Sequence, residues 1–307
     1  MNFLSLDYFI MTARERSFTR AAERLYITQQ TLSTHIAAIE KELGCQLFVR
    51  HIPLKLTYAG EVYLRYALDI QKKLHSMQQE MDDIAHNEKG KLRIGVGFTR
   101  GHAIMPDLIS EYQKQYPFVQ IQLIEGSNDI FQKKLFGGEI DLAIANFPEN
   151  VSGMELRDFY REELVLLVSE TLLEEIYGEK KEQILEETER NGNLSLLREC
   201  PFLLNSKNDI AGGIGRSYLA KAGFEPILKA ESDSIETLLD LCLLGGGACF
   251  CPENLAEWNL TEAASSKLRR IRLGPEACYM IRFGYLKQAY QWSMMSNFMD
   301  LSIRRFA

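Results

Sequence analysis

Residues 26–44 read "YITQQTLSTHIAAIEKELG", and the fold turns on how they are understood. Leu32, Ile36, Ile39 and Leu43 are spaced four, three and four apart, which makes one apolar stripe along a helix. Gln29, Gln30, Ser33, Thr34 and Ala37 share another face, where no aliphatic side chain exceeds alanine. Thr28 is a good N-cap for this helix. Upstream, Ser17 is a good N-cap for a short helix from Phe18 to Leu25 that turns Ala21, Ala22 and Leu25 inward. A first helix, Leu4 to Arg16, places Leu6, Phe9, Ile10 and Ala13 on one side. Only "YI" separates the second helix from Thr28, a connection tight enough for a helix-turn-helix. In that motif the second helix enters the major groove with its N-terminal residues toward the base edges. Gln can pair there with adenine, and Ser or Thr with several bases or with a phosphate. Any one of these residues could simply coat a solvated helix; caps, an Ala-Ala pair, a tight turn and two glutamines at the entry end together predict a reading face.

Composition limits what else the chain can be. With 307 residues, 46% hydrophobic and 25% charged, it has room for two or three domains of ordinary soluble character. The segment "MNFLSLDYFIMTARERSF" mixes acid and base in its apolar part and lacks a cleavage-like site, unlike a signal peptide. The longest apolar run, residues 238–252, contains Asp240 and three consecutive glycines and is too short for a bilayer. A cytoplasmic protein with six reduced cysteines is therefore expected. Residues 1–58 carry a net charge of +2 and the remainder −9. Bulk charge cannot drive nucleic-acid binding; a small basic head, present in more than one copy, would have to.

Beyond the head, Tyr63, Ala67, Ile70, Leu74, Met77, Met81 and Ile84 alternate spacings of four and three, a heptad seam. It predicts an intersubunit coiled coil over 59–88, the alternative being a helix packed along its own domain. The pattern breaks at Asn87 and Gly90. From Lys91 strands alternate with amphipathic helices: "KLRIGVG", "AIMPDLISEYQKQYP", "VQIQLIEG", "SNDIFQKKLFGG" and "IDLAIANF". A second series follows with "ELVLLVS", "PFLLN", "GGIGRSYLAKAGF" and "SIETLLDLCLLGGGACFCP", and the chain closes with two strands and a helix. This predicts parallel sheets in two α/β lobes with a ligand cleft at the carboxyl ends of strands.

Physical arguments populate the cleft. Thr99, Arg100 and Gly101 follow a strand and open a helix, where free N–H groups favour an anion. Ser127 and Asn128 begin the next helix, Asn146 and Phe147 follow the third strand, Asn205 and Ser206 follow "PFLL", and Phe250 belongs to the far wall. A small carboxylate or amino acid suits this group, although each Ser or Thr alone could be only a helix cap and Arg100 only a surface arginine.

Residues 17–50 also resemble the DNA-binding domain of LysR-type transcriptional regulators. Matching positions are Ser17, Ala21, Ala22, Leu25, Thr28, Gln29, Leu32, Ser33, Ile36, Glu40, Leu43, Gly44, Leu47, Phe48 and Arg50, continuing through Thr57, Ala59 and Gly60. The resemblance implies a winged helix-turn-helix over 1–58, with the wing at about 47–57. It gives Gln29, Gln30, Ser33 and Thr34 the groove-facing role, sets Ser17, Thr19, Arg20 and Thr28 near phosphates, and sends Arg50 to the backbone or minor groove. Gln30 stands where proline is frequent and Thr34 where a basic residue is frequent; His51 and Lys55 on the wing are candidates to replace that charge.

Residues 89–307 resemble the LysR-type effector domain, similar to periplasmic binding proteins of type II, through "LRIGV", "MPDLISEYQKQYP", "GEIDLAI" and "LLGGGACFCP" in order. The boundaries implied are lobe I at about 91–162 and 268–307, and lobe II at about 163–267. Thr99 matches a position that contacts effectors. Implied partners are promoter DNA, a small anionic effector, further copies of the chain as homodimer or homotetramer, and RNA polymerase; no cofactor, metal or membrane is implied. The charged 170–197 stretch is longer than its counterpart and reads as a surface helical insertion.

Competing chemistry finds little in the sequence. Cys249 and Cys251, two apart on a predicted strand, point the same way without disulfide geometry. His35, His51, His75, His86 and His102 show no ligand spacing. An α/β metabolic enzyme lacks a P-loop, a dinucleotide glycine fingerprint or a nucleophile elbow. A constitutive DNA architectural protein would share the same head but ignore small molecules.

Overall fold

The computed structural model describes residues 3–50, 54–85, 89–207, 209–287 and 290–306; His51, His86 and Asn87 lie outside them, as does the side chain of Ile84. Two compact units succeed one another along the chain, Met1–Met81 and Asp82–Ala307.

The first unit holds α1 (Phe3–Glu15), α2 (Phe18–Arg24), α3 (Gln29–Leu43), the short strands β1 (Phe48–Val49) and β2 (Lys55–Leu56), and most of α4 (Tyr58–Ile84). Both predicted caps form: Ser17 accepts from the Arg20 N–H and Thr28 from the Thr31 N–H. Gly44 closes α3 at φ 69°, a left-handed geometry that glycine adopts without a Cβ clash. The antiparallel pair Phe48↔Leu56 and Val49↔Lys55 makes the wing. Leu6, Phe9, Ile10, Ala21, Ala22, Leu32, Ile36 and Ile39 are buried in one core with Leu47 and Phe48. Leu43 departs from the expected stripe and is 45% exposed, because it ends α3 and the chain turns away at Gly44.

The first turns of α4 belong to the same core. Ala67 is fully buried, with Tyr63 and Ile70 packed beside it. Tyr63 meets Phe9 edge-on at 4.6 Å, and Gln71 donates to Asp7 at 2.7 Å. Tyr63, Ala67 and Ile70, expected on an intersubunit seam, therefore pack against the core of their own domain. Leu74 is half-buried, while Met77 and Met81 are 51% and 53% exposed.

In the second unit the strands join one mixed sheet. Its first lobe contains β3 (Lys89–Val96), α5 (Phe98–Gln115), β4 (Phe118–Glu125), α6 (Asn128–Phe136), β5 (Leu142–Ala145) and the start of β6 (Met154–Ser169). The second contains the rest of β6, α7 (Glu170–Tyr177), α8 (Lys181–Asn191), β7 (Pro201–Asn205), α9 (Ile210–Ala222), β8 (Ile227–Ser232), α10 (Ile235–Leu243), β9 (Ala248–Pro252), α11 (Glu253–Asn259), α12 (Glu262–Ser265) and β10 (Leu268–Arg272). β11 (Cys278–Leu286) and α13 (Ser293–Phe306) complete the first lobe. Strand order is β4-β3-β5-β11-β6-β9-β7-β8, with β10 also on β6.

β3, β4 and β5 run parallel, as do β7, β8 and β9, whereas β6, β10 and β11 run against their neighbours. The purely parallel expectation is corrected by β6. "ELVLLVS" is not a new strand but the second half of a 16-residue strand shared by both lobes. Its first half pairs with β11, as far as Cys278↔Glu163, and its second with β9 from Leu164↔Pro252. β10 pairs with Val165–Ser169 and so sits in lobe II; the chain re-enters lobe I after β10, not at 268.

The charged insertion is also more than surface. α7 and α8 bury Leu172, Leu173 and Leu185 in the lobe II core, while Glu170 and Glu182 pair with Arg269 at 3.3 and 2.7 Å. At the other end of the unit, Asp83 in the last turn of α4 accepts from the Ser293 N–H at 3.0 Å and its hydroxyl at 2.8 Å, capping α13, and also takes the Tyr290 hydroxyl.

Candidate functional site

In the head, burial of Leu32, Ile36 and Ile39 fixes the rotation of α3 and leaves Gln29, Gln30 and Thr34 exposed with Ser33 half-buried. Thr34 donates back to the Gln30 carbonyl at 2.9 Å, and Thr19 donates to Gln29 Oε1 at 3.3 Å. Ser17 and Thr28 use their hydroxyls in capping. Arg20 is 64% exposed at its side chain and donates to the Glu15 carbonyl at 2.6 Å. Arg50 lies 3.0 Å from Glu40 and over the Phe18 ring. Glu40 also accepts from the N–H groups of Leu47 and Phe48 at 2.8 and 3.3 Å. That carboxylate, buried in part, fastens the wing to α3 and holds Arg50 back from a freely extended role. Sequence reasoning does not reach the Glu40 contacts, though its place in the matched pattern marks the residue.

In the second unit a cleft of about 450 Å³ opens between the lobes, lined by the starts of α5, α6, α9 and α10. Of the ten residues proposed from sequence, Thr99, Arg100, Ser127, Asn128 and Ser206 line it. The remaining five candidates are elsewhere. Gly101 is buried behind the α5 terminus. Asn146 donates to the Met280 carbonyl at 3.0 Å. Phe147 packs into a core with Phe131 and Met154. Phe250 is core as well, 1% exposed, because strand alternation turns it onto α9, where a Cβ on Gly215 would stand 2.5 Å from its ring. Of the "GGIG" glycines only Gly215 serves this approach; Gly212 lies against the Ser206 backbone carbonyl. Asn205 precedes the wall and is 1% exposed, with neither side-chain amide atom hydrogen-bonded among the described residues.

Among the described residues Arg100 is the only basic one lining the cleft, and it is not available as a bare cation. Its guanidinium donates to Glu162 at 2.8 Å and to the Tyr160 hydroxyl at 2.8 Å, and Tyr160 donates to Glu162 at 3.1 Å. Arg100 is 7% exposed and Glu162 fully buried. Burial lowers the guanidinium pKa, but Glu162 beside it, with Tyr160 and Tyr279, more than compensates and holds it above the ordinary value. Burial, partly opposed by Arg100, raises the Tyr160 phenol. Glu162 pairs in register with Tyr279, one residue from the point where β6 passes between lobes. The network therefore joins the cleft wall to the crossing strand.

Sequence reasoning missed Asp129, Asp209 and Asp233, all on the cleft wall. Asp209 caps α9 by accepting from the Gly212 N–H at 3.2 Å; an acid directly before "IAGG" was a legible cap signal. Burial pushes its carboxyl above the ordinary range, offset in part by that backbone and by Arg100. The six cysteines are unpaired. Burial raises the Cys200 thiol to about 12, and Cys249, hydrogen-bonded to the Cys242 thiol, and the buried Cys251 are held well above the usual value. Such thiols are poor nucleophiles. Among the described residues no His/Cys/Asp/Glu group could hold a metal, and no helix is long and apolar enough to cross a membrane.

Comparison with known proteins adds to this geometry. The family model "LysR substrate binding domain" matches residues 85–307, and "Bacterial regulatory helix-turn-helix protein, lysR family" matches residues 3–61. The HTH-type transcriptional regulator YcgK of Bacillus subtilis is 30% identical over 262 residues, covering 82% of this chain and 80% of that protein. A full-length OxyR variant from Pseudomonas aeruginosa shares the fold at a TM-score of 0.69 and 22% identity, covering 100% and 96% of the two chains. Full-length CbnR in complex with its target DNA does so at 0.58 and 22%, covering 100% of both.

Proposed function

We propose that this chain, which belongs to the LysR family of helix-turn-helix transcriptional regulators, reads a promoter with the exposed start of α3 and alters that binding when a small metabolite enters the interlobe cleft. As a LysR-type regulator it is a DNA-binding transcription factor with an effector-binding domain, not an enzyme. The observation that most supports the finer reading is the buried Arg100–Glu162 pair, one end at the cleft wall and the other on the strand shared by both lobes.

Gln29, Gln30, Ser33 and Thr34 are the base-facing set, with Arg20, Thr19 and the backbone of the capped helix starts near phosphates. Thr34 brings no charge, so phosphate attraction has to be shared across more than one head. Leu74, Met77 and Met81 form the self-contact along α4, with higher assembly and contact with RNA polymerase as further steps. In the effector domain the first turn of α5 contains no acidic residue, and its free N–H groups suit a carboxylate of the effector. Closing the lobes around such a ligand changes the environment of Arg100 and Glu162, and through β6 the balance between two lobe arrangements.

Quantitative footprinting of Gln29→Ala and Thr99→Val variants tests both halves. The first should weaken specific protection by roughly ten-fold or more, the discrimination of a lost base contact. The second should leave protection intact and blunt its response to a metabolite pool. Full specific binding by Gln29→Ala would remove the reading-face assignment; a full response from Thr99→Val would remove that residue from the effector site.

A further inference from the structure

The four helix starts that meet at the cleft are not equally open to an anion. Three already carry a carboxylate of the chain: Asp129 in the first turn of α6, Asp209 at the cap of α9 and Glu236 in the first turn of α10, where it accepts from Ser234 at 3.0 Å. Asp129, Asp209 and Asp233 line the cavity, and Glu125 adds another carboxylate behind the α5 start, 2.8 Å from where a Cβ on Gly101 would stand. Among the described residues the single lining cation, Arg100, is matched by the buried Glu162. An anion alone would face several carboxylates with no uncommitted cation to offset them. Beside this wall Asn205 is buried with its amide unpartnered among the described residues, leaving donors and an acceptor of the kind a polar ligand satisfies.

We propose that the effector carries an ammonium or amidinium group held by Asp209, with Asp129 and Asp233 completing a negative wall, so that an amino acid or amine is recognised and a simple organic acid is rejected. This rests on the interlobe cleft being the effector site. Asp209 is suited to the contact because its carboxylate is half-buried, and a charge-assisted bond there replaces solvation already lost. A carboxylate on the same ligand is free to take the α5 start.

The test uses full-length protein and matched probes: the common amino acids and diamines, each beside the hydroxy compound in which –OH replaces the ammonium group. Binding is measured by equilibrium dialysis and thermal shift. At least one amine-bearing probe should bind, its hydroxy counterpart roughly ten-fold or more weakly, as expected for loss of a charged hydrogen bond. Asp209→Asn should lose a similar factor without lowering the melting temperature of unliganded protein, since asparagine also caps helices. Equal binding within every matched pair, binding confined to amine-free acids, or no amine-bearing probe bound at millimolar concentration would overturn the proposal. Ser206→Trp, or Asn128→Trp if the first does not fold, fills the cleft. A bound probe unaffected by either filling would sink the cleft reading itself, whereas an amine-free acid displaced by filling would sink only the charge assignment.

Discussion

Glu162 is the residue on which most depends. Fully buried and bonded to Arg100 and Tyr160, its carboxylate cannot be removed without stranding a buried guanidinium. Glu162→Gln should cost about 3–5 kcal/mol in urea unfolding, and an apolar Arg100→Met/Glu162→Leu pair should recover much of it. Independent, additive losses would contradict a coupled pair. Asp209 behaves in the opposite sense. Its folded pKa is raised, so its contribution is full below the unfolded pKa and lost as pH rises through the folded one. In Asp209→Asn that part of the pH dependence should vanish, and stability near neutrality should be equal or higher; a steeper loss of stability with pH would refute the burial argument. At this scale the sequence was legible where a rule is local. Ser17, Thr28 and Thr99 stand where capping and strand-end logic put them. Phe147 and Phe250 were misplaced because a residue just past a strand can face a core as easily as a cleft. Glu162 was illegible because its importance comes from partners 62 and 2 residues away.

At the scale of elements, α3 and α4 show what periodicity can and cannot settle. The α3 stripe identified its buried face to within one residue, Leu43. The α4 stripe was equally regular, yet its first turns bury Tyr63, Ala67 and Ile70 in their own head, because a 3.5-residue period describes a seam without naming the partner. Met77 and Met81 are exposed, and it is these that we propose meet another copy. Met77→Glu/Met81→Glu should shift the protein toward monomer in sedimentation at micromolar concentration and leave the head folded by circular dichroism; an unchanged assembly would exclude that seam. Long-range pairing limited the rest. β6 was divided at "ELVLLVS" because polar Arg157, Asp158, Arg161 and Glu162 interrupt its apolar pattern, although they extend the same strand. β8 was not anticipated because its edge position leaves Ile227, Leu228 and Lys229 exposed.

For the whole molecule, charge and architecture point the same way. A head of net +2 on a body of net −9 cannot hold DNA by attraction alone, so specific binding should require paired heads and weaken steeply with salt. The domain order was legible because the head motif is dense and the α/β alternation strong. The cleft's charge was not, since Asp129, Asp209 and Asp233 come from three separate helix starts and meet only when both lobes are folded. The most direct measurement is a nuclease footprint on the DNA upstream of the protein's own gene, extended genome-wide, at two salt concentrations with excess nonspecific DNA. It is run with and without a pooled set of amines and amino acids. The expected result is a protected inverted repeat whose extent or bending changes with the pool and ceases to respond in Asp209→Asn. Sequence-independent protection everywhere, or a specific footprint unmoved by any ligand that demonstrably fills the cleft, would contradict a regulator whose cleft governs its grip on DNA.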